Sequence, residues 1–185
     1  MFKYYFLFIA LIFWVTSRSQ TPGTTKHKAF IPQGYTVLDS AFGNLNKDAY
    51  PDLLLILRNE TEKMNPDTAR PVIVLAGGAN GTFKLLGRGD HAVLCANCGG
   101  VFGDPYQGIT IKNGFFSIEH YGGSSWRWTR VITFKYDPST SKFKLHRDAG
   151  VSFHASNPNE QTSLVHQKKN YGKLGLDKYS YEDFD

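Results

Sequence analysis

Side-chain oxygens at alternating positions mark the segment 43–52 as the place where this sequence could bind a metal ion. Asn44, Asn46 and Asp48 are spaced two residues apart, and Asp52 follows four residues later. A hard cation such as calcium takes six to eight oxygen ligands from a tightly curled backbone, and this spacing can supply several of them. The same residue types also form Asx turns with nearby backbone N–H groups. The sequence therefore leaves two interpretations of this loop: a calcium site and a turn network without an ion.

The loop runs directly into five aliphatic residues, and the whole segment 43–57 resembles the FG-GAP and VCBS repeats of integrin-like propellers. In those repeats an Asp-x-Asn-x-Asp-Gly-x-x-Asp segment precedes a buried strand. The resemblance implies five calcium ligands: Asn44, Asn46, Asp48, the backbone carbonyl of Tyr50, and Asp52. Two positions depart from the pattern, because Asn44 replaces an Asp and Ala49 replaces a Gly that permits a sharp turn.

Cys95 and Cys98 form a Cys-x-x-Cys pair that has three interpretations. In an exported chain, thiols at this spacing usually oxidise to a structural disulfide. A redox-active pair has its first cysteine at a helix N-terminus, which lowers the thiol pKa, but the glycines at 99–100 indicate no helix here. Half of a zinc site with His91 or His120 would lack the usual four well-spaced ligands. The prediction is a structural disulfide.

Residues 114–136 predict a β-hairpin rich in aromatic and charged side chains. If the Gly-Gly-Ser-Ser segment 122–125 is its loop, Tyr121 pairs with Trp126 across the two strands. Because side chains alternate along a strand, this register places five of them on one face: Glu119, Tyr121, Trp126, Trp128 and Arg130. Flat rings beside a carboxylate and a guanidinium can hold a sugar or an aromatic ligand. The alternative is that the rings fill the core, with Glu119 paired to Arg130.

The sequence lacks the short motifs of several common catalytic centres. It contains no Gly-x-Ser-x-Gly elbow, no His-Glu-x-x-His helix and no phosphate-binding Gly-x-x-x-x-Gly-Lys segment. Glu119 and His120 are adjacent in a predicted strand and point to opposite faces, which argues against an acid–base pair. Two enzyme hypotheses are left without such a motif. One is a hydrolase that uses Glu119 or Asp104, and the other is a thiol oxidoreductase that uses Cys95 and Cys98.

The first 19 residues have the layout of a secretory signal peptide. Lys3 supplies a positive n-region, 4–15 an apolar h-region, and 17–19 a small-residue cleavage pattern. The apolar run is shorter than the ~20 residues that cross a bilayer as a helix. We therefore expect an extracytoplasmic protein, periplasmic or secreted, that is not stably inserted in a membrane after signal cleavage.

The charge of the chain argues against nucleic-acid binding. The sequence has 21 basic and 16 acidic side chains, a formal net charge of +5, and loss of Lys3 and Arg18 with the signal peptide leaves +3. After that point the only adjacent basic pair is Lys168-Lys169, whereas a nucleic-acid footprint is a concentrated basic stripe. A protein or a glycan is the expected class of partner.

Short runs of β-branched and aromatic residues, separated by Gly, Asn, Asp and Pro, predict an all-β fold. The runs cover 34–38, 52–58, 71–76, 82–86, 91–95, 108–112, 114–121, 126–136, 142–147 and 150–155. We expect antiparallel meander sheets or a sandwich, in a single β domain over 30–185 that follows a flexible mature N-terminus at 20–29.

Two parts of the sequence correspond at an offset of 60 residues. Gly43-Asn44 aligns with Gly103-Asp104, and 80–85 aligns with 140–145. The offset suggests repeat units 35–90 and 95–150, each the size of a propeller blade, with chance similarity between short β segments as the alternative. A closed propeller needs at least four blades, so a chain of this length cannot form one.

These observations give a ranked set of functions. The leading hypothesis is an exported, non-catalytic β protein that binds a ligand or a protein partner at the cell envelope. An enzyme, as in the two hypotheses above, is the second, although the sequence does not pair a nucleophile with a base. An inhibitor or immunity-type protein that acts on a toxin or an enzyme is the third, and it fits the size of the chain and the export signal equally well.

Overall fold

The computed structural model describes residues 26–65 and 68–184, which form two antiparallel sheets. The N-terminal sheet has the order β1-β2-β3-β4, with strands Tyr35–Gly43, Asp52–Asn59, Val72–Gly77 and Phe83–Gly89. The C-terminal sheet has the order β5-β6-β7-β8-β9, with strands Tyr106–Lys112, Phe115–Gly123, Trp126–Asp137, Lys142–His154 and Asn157–Val165. Each sheet is a meander in which consecutive strands are neighbours, so the predicted all-β class is confirmed.

The strand predictions differ from the structure in three places. Residues 91–95 were expected to form a strand, but only His91 makes an isolated bridge there. The runs 142–147 and 150–155 belong to one continuous strand, β8, which passes through the buried Asp148. Strand β9 was not expected, because its side chains are nearly all exposed and show no apolar alternation.

One apolar cluster lies between the two sheets. The N-terminal sheet contributes aliphatic side chains from β2 and β3, and the C-terminal sheet contributes larger ones from β6, β7 and β8. Three phenylalanines meet at its centre, where the ring centroid of Phe116 lies 5.3 Å from that of Phe134 and 5.4 Å from that of Phe143. Burial of such rings dominates the energetics of β cores. This cluster holds the sheets face to face.

A second apolar cluster covers the opposite face of the N-terminal sheet. It contains Leu53, Leu55, Leu57, Ile73 and Leu75. Phe30, the last residue of the 3-10 helix Lys26–Phe30, packs against this cluster, and so does the following residue, Ile31. Strand β2 is therefore buried on both faces, which explains its unbroken aliphatic sequence.

The C-terminal segment, which follows β9, packs between β4 and β8. The Leu176 N–H donates to the Phe143 carbonyl at 2.9 Å, and the Leu145 N–H donates to the Leu174 carbonyl at 2.8 Å. Leu176 packs so closely on Gly87 and Gly89 of β4 that a Cβ at Gly89 would overlap it. No helix in the described ranges is long and apolar enough to cross a membrane.

The two sheets share an irregularity at the predicted offset. Strand β4 has a bulge at Leu86, and β8 has a bulge at His146, 60 residues later. The turns before these strands contain Gly81 and Ser141, both with positive φ and again 60 residues apart. These positions agree with the offset seen in the sequence, and the repeat units themselves stay a prediction. The predicted signal peptide and the first six residues of the expected flexible N-terminus lie outside the described residues.

Candidate ligand-binding site

The oxygen-rich loop at 43–52 is closed by its own hydrogen bonds. The Asn46 side-chain oxygen accepts from the Asp48 N–H at 2.9 Å, and Asp48 Oδ1 accepts from the Tyr50 N–H at 2.7 Å. Asn46 also donates its side-chain amide to Asp48 Oδ2 at 2.7 Å, and the Asn44 amide donates to the Asp48 carbonyl. The loop therefore has the Asx-turn network that was one of its two interpretations.

Asp52 ties this loop to the centre of the N-terminal sheet. It is fully buried at the start of β2, and its Oδ2 accepts the N–H groups of Leu45 and Asn46 at 2.7 and 3.0 Å. Its Oδ1 accepts the N–H of Gly77, at the end of β3, at 3.1 Å. This carboxylate thus satisfies three backbone donors, a structural role that does not require an ion.

The Cys-x-x-Cys pair is a disulfide, as predicted. The Cα atoms of Cys95 and Cys98 lie 5.2 Å apart, and the Cys98 N–H donates to the Cys95 carbonyl at 3.2 Å in a tight turn. A disulfide is compatible with an extracytoplasmic location. The turn belongs to the segment 94–104, which supplies walls to two cavities described below.

The predicted ligand face is divided between the two sides of the C-terminal sheet. Tyr121 pairs with Thr129 and not with Trp126, because Gly122 and Gly123 continue β6 and only 124–125 form the turn. Glycine is needed here, since the Trp128 ring packs directly on the Cα of Gly122. The register that was expected from the sequence is therefore wrong.

The five predicted residues consequently have three environments. Glu119 and Tyr121 lie on the outer face, where Glu119 accepts a hydrogen bond from the Thr110 hydroxyl at 3.1 Å. Trp128 and Arg130 pair with Gly122 and the buried His120, so they lie on the inner face. Trp126 is exposed at the start of β7, with its ring against His154. The structure brings together only Trp128 and Arg130.

Arg130 is held by a buried network that the sequence did not indicate. Its Nε and Nη2 donate to the two carboxylate oxygens of Asp148, each at 3.0 Å. The Tyr179 hydroxyl donates to Asp148 Oδ2 at 2.7 Å, and Arg130 Nη2 also donates to the Tyr181 carbonyl at 3.1 Å. Burial raises the pKa of Tyr179 above its ordinary value. The network joins β7, β8 and the C-terminal segment.

Trp128 and Arg130 line a cavity of about 360 Å³. Leu94, Trp128 and Leu164 form its apolar walls, and the disulfide-bonded Cys98 also lines it. Its polar lining comes from Thr129, Arg130, His166 and Tyr181. An apolar recess with a few polar groups at its edge is the usual composition of a small-molecule site.

A larger and more polar cavity, of about 660 Å³, lies on the other side of the disulfide turn. Its lining contains Arg58, Glu60, Glu62, Lys63 and Asp104, side chains of both charges. Beneath it lies the fully buried Arg70, which donates to both oxygens of Glu62 at 2.7 Å and to both oxygens of Asp104 at 2.7 and 2.6 Å.

The Arg70 group is internally satisfied. The fifth N–H of the guanidinium faces the Leu94 carbonyl at 3.5 Å, so all five donors have an acceptor. Burial acts to lower the pKa of Arg70, but the hydrogen bonds that it donates to the two carboxylates outweigh this effect and raise the pKa. Burial likewise acts to raise the pKa of Asp104, and the Arg70 hydrogen bond lowers it instead. This triad joins the loop after β2 to the segment before β5.

His120 lies between these two groups and is uncharged. Its Nε2 accepts from the Leu94 N–H at 3.3 Å, which places the proton on Nδ1. Among the described residues, none offers Nδ1 an acceptor with hydrogen-bond geometry. Burial lowers the pKa of His120 to about 3, and the charges of Arg130 and Arg70 act in the same direction against the opposing carboxylate of Asp148.

One serine does touch an imidazole in this structure. His154 Nδ1 and Ser156 Oγ are 2.7 Å apart in the turn between β8 and β9. The Ser156 N–H points to the same Nδ1 at 3.3 Å, so the contact belongs to a local turn of the backbone. It lies outside both cavities and has the geometry of a turn contact, not of an activated nucleophile.

No protein-family model matches this sequence, and no curated protein matches it. The resemblance of 43–57 to FG-GAP and VCBS repeats therefore stays a prediction. The candidate site is the cavity beside Trp128, bounded by the disulfide and the Arg130 network.

Asp52→Ala is expected to lower the free energy of unfolding by about 3 kcal/mol, because three buried backbone donors lose a charged acceptor. Asp48→Ala, in the exposed part of the same loop, should cost about 1 kcal/mol or less. Urea unfolding of the two variants measures both values. Equal losses would contradict the structural role assigned to Asp52.

Calcium binding by the loop is tested by thermal melting in millimolar calcium and in excess chelator. An ion that binds only the native state raises its stability by about 2.7 kcal/mol at a concentration 100 times Kd. If the prediction from the resemblance is right, the melting temperature rises with calcium and the rise is lost in Asp48→Ala. An unchanged melting temperature would leave the hydrogen-bond network as the whole explanation of the loop.

Stability should decrease as the pH falls below about 6.5. The unfolded chain protonates His120 near that pH, whereas the folded chain keeps it neutral down to about pH 3, so the unfolded state binds the extra proton. This one group lowers the free energy of unfolding by up to about 1.4 kcal/mol for each pH unit in this range. Urea unfolding between about pH 7 and pH 5 measures the slope.

His120→Gln removes the titrating ring and should make that slope shallower. His91→Gln, at an exposed position, is the matched control and should keep the slope of the unaltered protein. A slope unaffected by His120→Gln would show that the neutral buried imidazole does not control acid sensitivity.

Proposed function

We propose that this chain is an exported, non-catalytic β protein that binds a ligand at the cell envelope in the cavity beside Trp128. The observation that carries this proposal is the composition of the cavity. Leu94, Trp128 and Leu164 form apolar walls, and a small number of polar residues complete the lining. The disulfide in the wall and the predicted signal peptide support an extracytoplasmic role.

The cavity suits a small ligand with a flat apolar face and a polar rim. Its volume of about 360 Å³ lies at the lower end of the range for small-molecule sites, ~300–1,000 Å³. The Trp128 ring offers a surface for stacking, and Arg130 and Tyr181 are among the polar residues that line the rest of the cavity. A sugar ring or a small aromatic compound has the matching shape and polarity.

The site is rigid before any ligand arrives. Arg130 is fixed by Asp148 and by the Tyr181 carbonyl, and the segment containing Leu94 is closed by the disulfide. A preorganised site binds with a smaller loss of side-chain entropy than a mobile one. This arrangement favours binding over a mechanism that depends on loop closure.

Trp128→Ala is expected to weaken ligand binding at least tenfold, equivalent to about 1.4 kcal/mol, because it removes the stacking wall. Candidate ligands come from a panel of mono- and oligosaccharides and small aromatic compounds, screened by thermal shift and by tryptophan fluorescence. Affinities for each hit are then measured by calorimetry.

Trp126→Ala is the matched control, since Trp126 is exposed and does not line the cavity. It should leave the affinity unchanged. A hit whose affinity is the same in Trp128→Ala would contradict the assignment of the cavity. A Trp128→Ala protein that keeps the melting temperature of the unaltered protein excludes unfolding as the cause of lost binding.

A further inference from the structure

Three loops meet at one end of the C-terminal sheet. The loop 99–103 is joined to the β6–β7 hairpin, because the Val101 N–H donates to the Gly123 carbonyl at 3.1 Å and the Gly123 N–H donates to the Gly99 carbonyl at 3.0 Å. The β8–β9 turn is joined to the same hairpin by the Ala155 N–H, which donates to the Ser125 carbonyl at 2.8 Å. We call the surface formed by 99–103, 121–127 and 154–159 the aromatic tip.

The aromatic tip exposes large apolar side chains. Val101 is 75% exposed, Trp126 is 60% exposed and Phe102 is 42% exposed. Tyr121 lies beside Phe102, with ring centroids 5.2 Å apart. Single apolar side chains on a surface are ordinary. Here three of them lie on loops that are hydrogen-bonded to one another, and an exposed apolar patch of this kind usually marks an interaction site.

The charge of the aromatic tip has one sign. Its three segments contain no Asp or Glu, whereas Arg127 is positive. The carboxylate of Glu160, which follows the third segment, accepts a hydrogen bond from the Asn157 side chain at 2.8 Å. The guanidinium of Arg127 lies over the Phe102 ring at 4.4 Å, and Arg127 donates to the Ser124 carbonyl at 2.6 Å and to the Tyr121 hydroxyl at 3.0 Å. These contacts hold the Arg127 guanidinium in place beside the apolar side chains.

We propose that the aromatic tip docks reversibly on a lipid surface that carries anionic headgroups. Val101, Phe102 and Trp126 would enter the boundary between headgroups and acyl chains, where aromatic rings are favoured. Arg127 would remain at the level of the phosphates, which complement its charge. No acidic residue within the three segments repels such a surface, and Glu160 at their margin is held by the Asn157 side chain.

This docking is peripheral, and it differs from a membrane-spanning segment in using loop tips alone. The position of the aromatic tip also matters for the cavity, because Trp128 is two residues from Trp126 and packs on Gly122 of the same hairpin. A protein held by the aromatic tip would keep its ligand site close to the lipid surface.

Co-sedimentation with vesicles tests the proposal. The protein as isolated from expressing cells is mixed with vesicles of phosphatidylcholine alone or with phosphatidylglycerol added. We expect at least tenfold stronger binding to the anionic vesicles and a decrease on addition of salt, which screens the attraction of the headgroups. Phe102→Asp and Trp126→Asp are each expected to weaken binding at least tenfold, and Arg127→Gln to remove most of the preference for anionic lipid.

Leu85→Asp and Val165→Asp are matched controls, because each adds the same charge at an exposed apolar side chain outside the aromatic tip. Both should bind vesicles as the unaltered protein does, and any contribution from elsewhere in the chain is common to all variants. Equal binding to neutral and anionic vesicles, or equal losses in the controls, would overturn the proposal. So would a failure to bind vesicles together with cross-linking of Phe102 to a single envelope protein.

The outcome is separable from that of the ligand site. Trp128→Ala should retain vesicle binding, and Trp126→Asp should retain the affinity of the cavity for its ligand. Thermal melting of every variant identifies any that fails to fold, and Trp126→Asp and Phe102→Asp provide two independent positions in case one of them does.

Discussion

The inner face of the C-terminal sheet is apolar at one end and polar or charged at the other, and the rest of the structure depends on this constraint. On β6 the inward side chains run from Phe116 and Ile118 to His120, and on β7 they run from Phe134 and Ile132 to Arg130. A buried charge is tolerated only when it is paired and hydrogen-bonded. The chain must therefore deliver carboxylates to this end of the sandwich, and the elements that do so determine its shape. Asp148 reaches Arg130 from β8, and Glu62 and Asp104 reach Arg70 from two loops.

These ion pairs hold irregular segments in place as walls of the two cavities. Arg70 joins the loop after β2 to the segment before β5, and Arg130 joins the sheet to the C-terminal segment. The disulfide turn at 95–98 lies between the two cavities that result. The pairs are better understood as sources of geometry than of net stability, since an apolar replacement of a buried ion pair is often as stable. Fixed walls are what a binding site requires.

The sequence predicted the parts of this fold that depend on local pattern. Strand β2 was recognisable because burial on both faces demands the unbroken run of aliphatic residues that follows Asp52. Strand β9 could not be recognised, since an exposed edge strand needs no apolar alternation. The division of the ligand face followed from Gly122, which was assigned to a loop although Trp128 packs on it inside the sheet. The Arg70 and Arg130 groups were hidden because their partners are far away in the chain, Asp104 by 34 positions and Tyr179 by 49.

The bulges at Leu86 and His146 lie at equivalent places in the two sheets. Leu75 pairs with Leu85 beside the first bulge, and Phe134 pairs with Leu145 beside the second. At the 60-residue offset, Val74 corresponds to Phe134, and both side chains lie in the apolar cluster between the sheets. The corresponding faces of β3 and β7 therefore point toward each other.

The two outer faces of this pair of sheets differ in how they meet solvent. On one side, Phe30 and Ile31 pack on the outer apolar face of the N-terminal sheet. On the other, the outer face of the C-terminal sheet bears Ser117, Glu119 and Thr133, where the outer face of the first sheet is aliphatic. A polar outer face needs no apolar cover. The two sheets can therefore form a unit, because the chain itself covers one outer face and the other is polar.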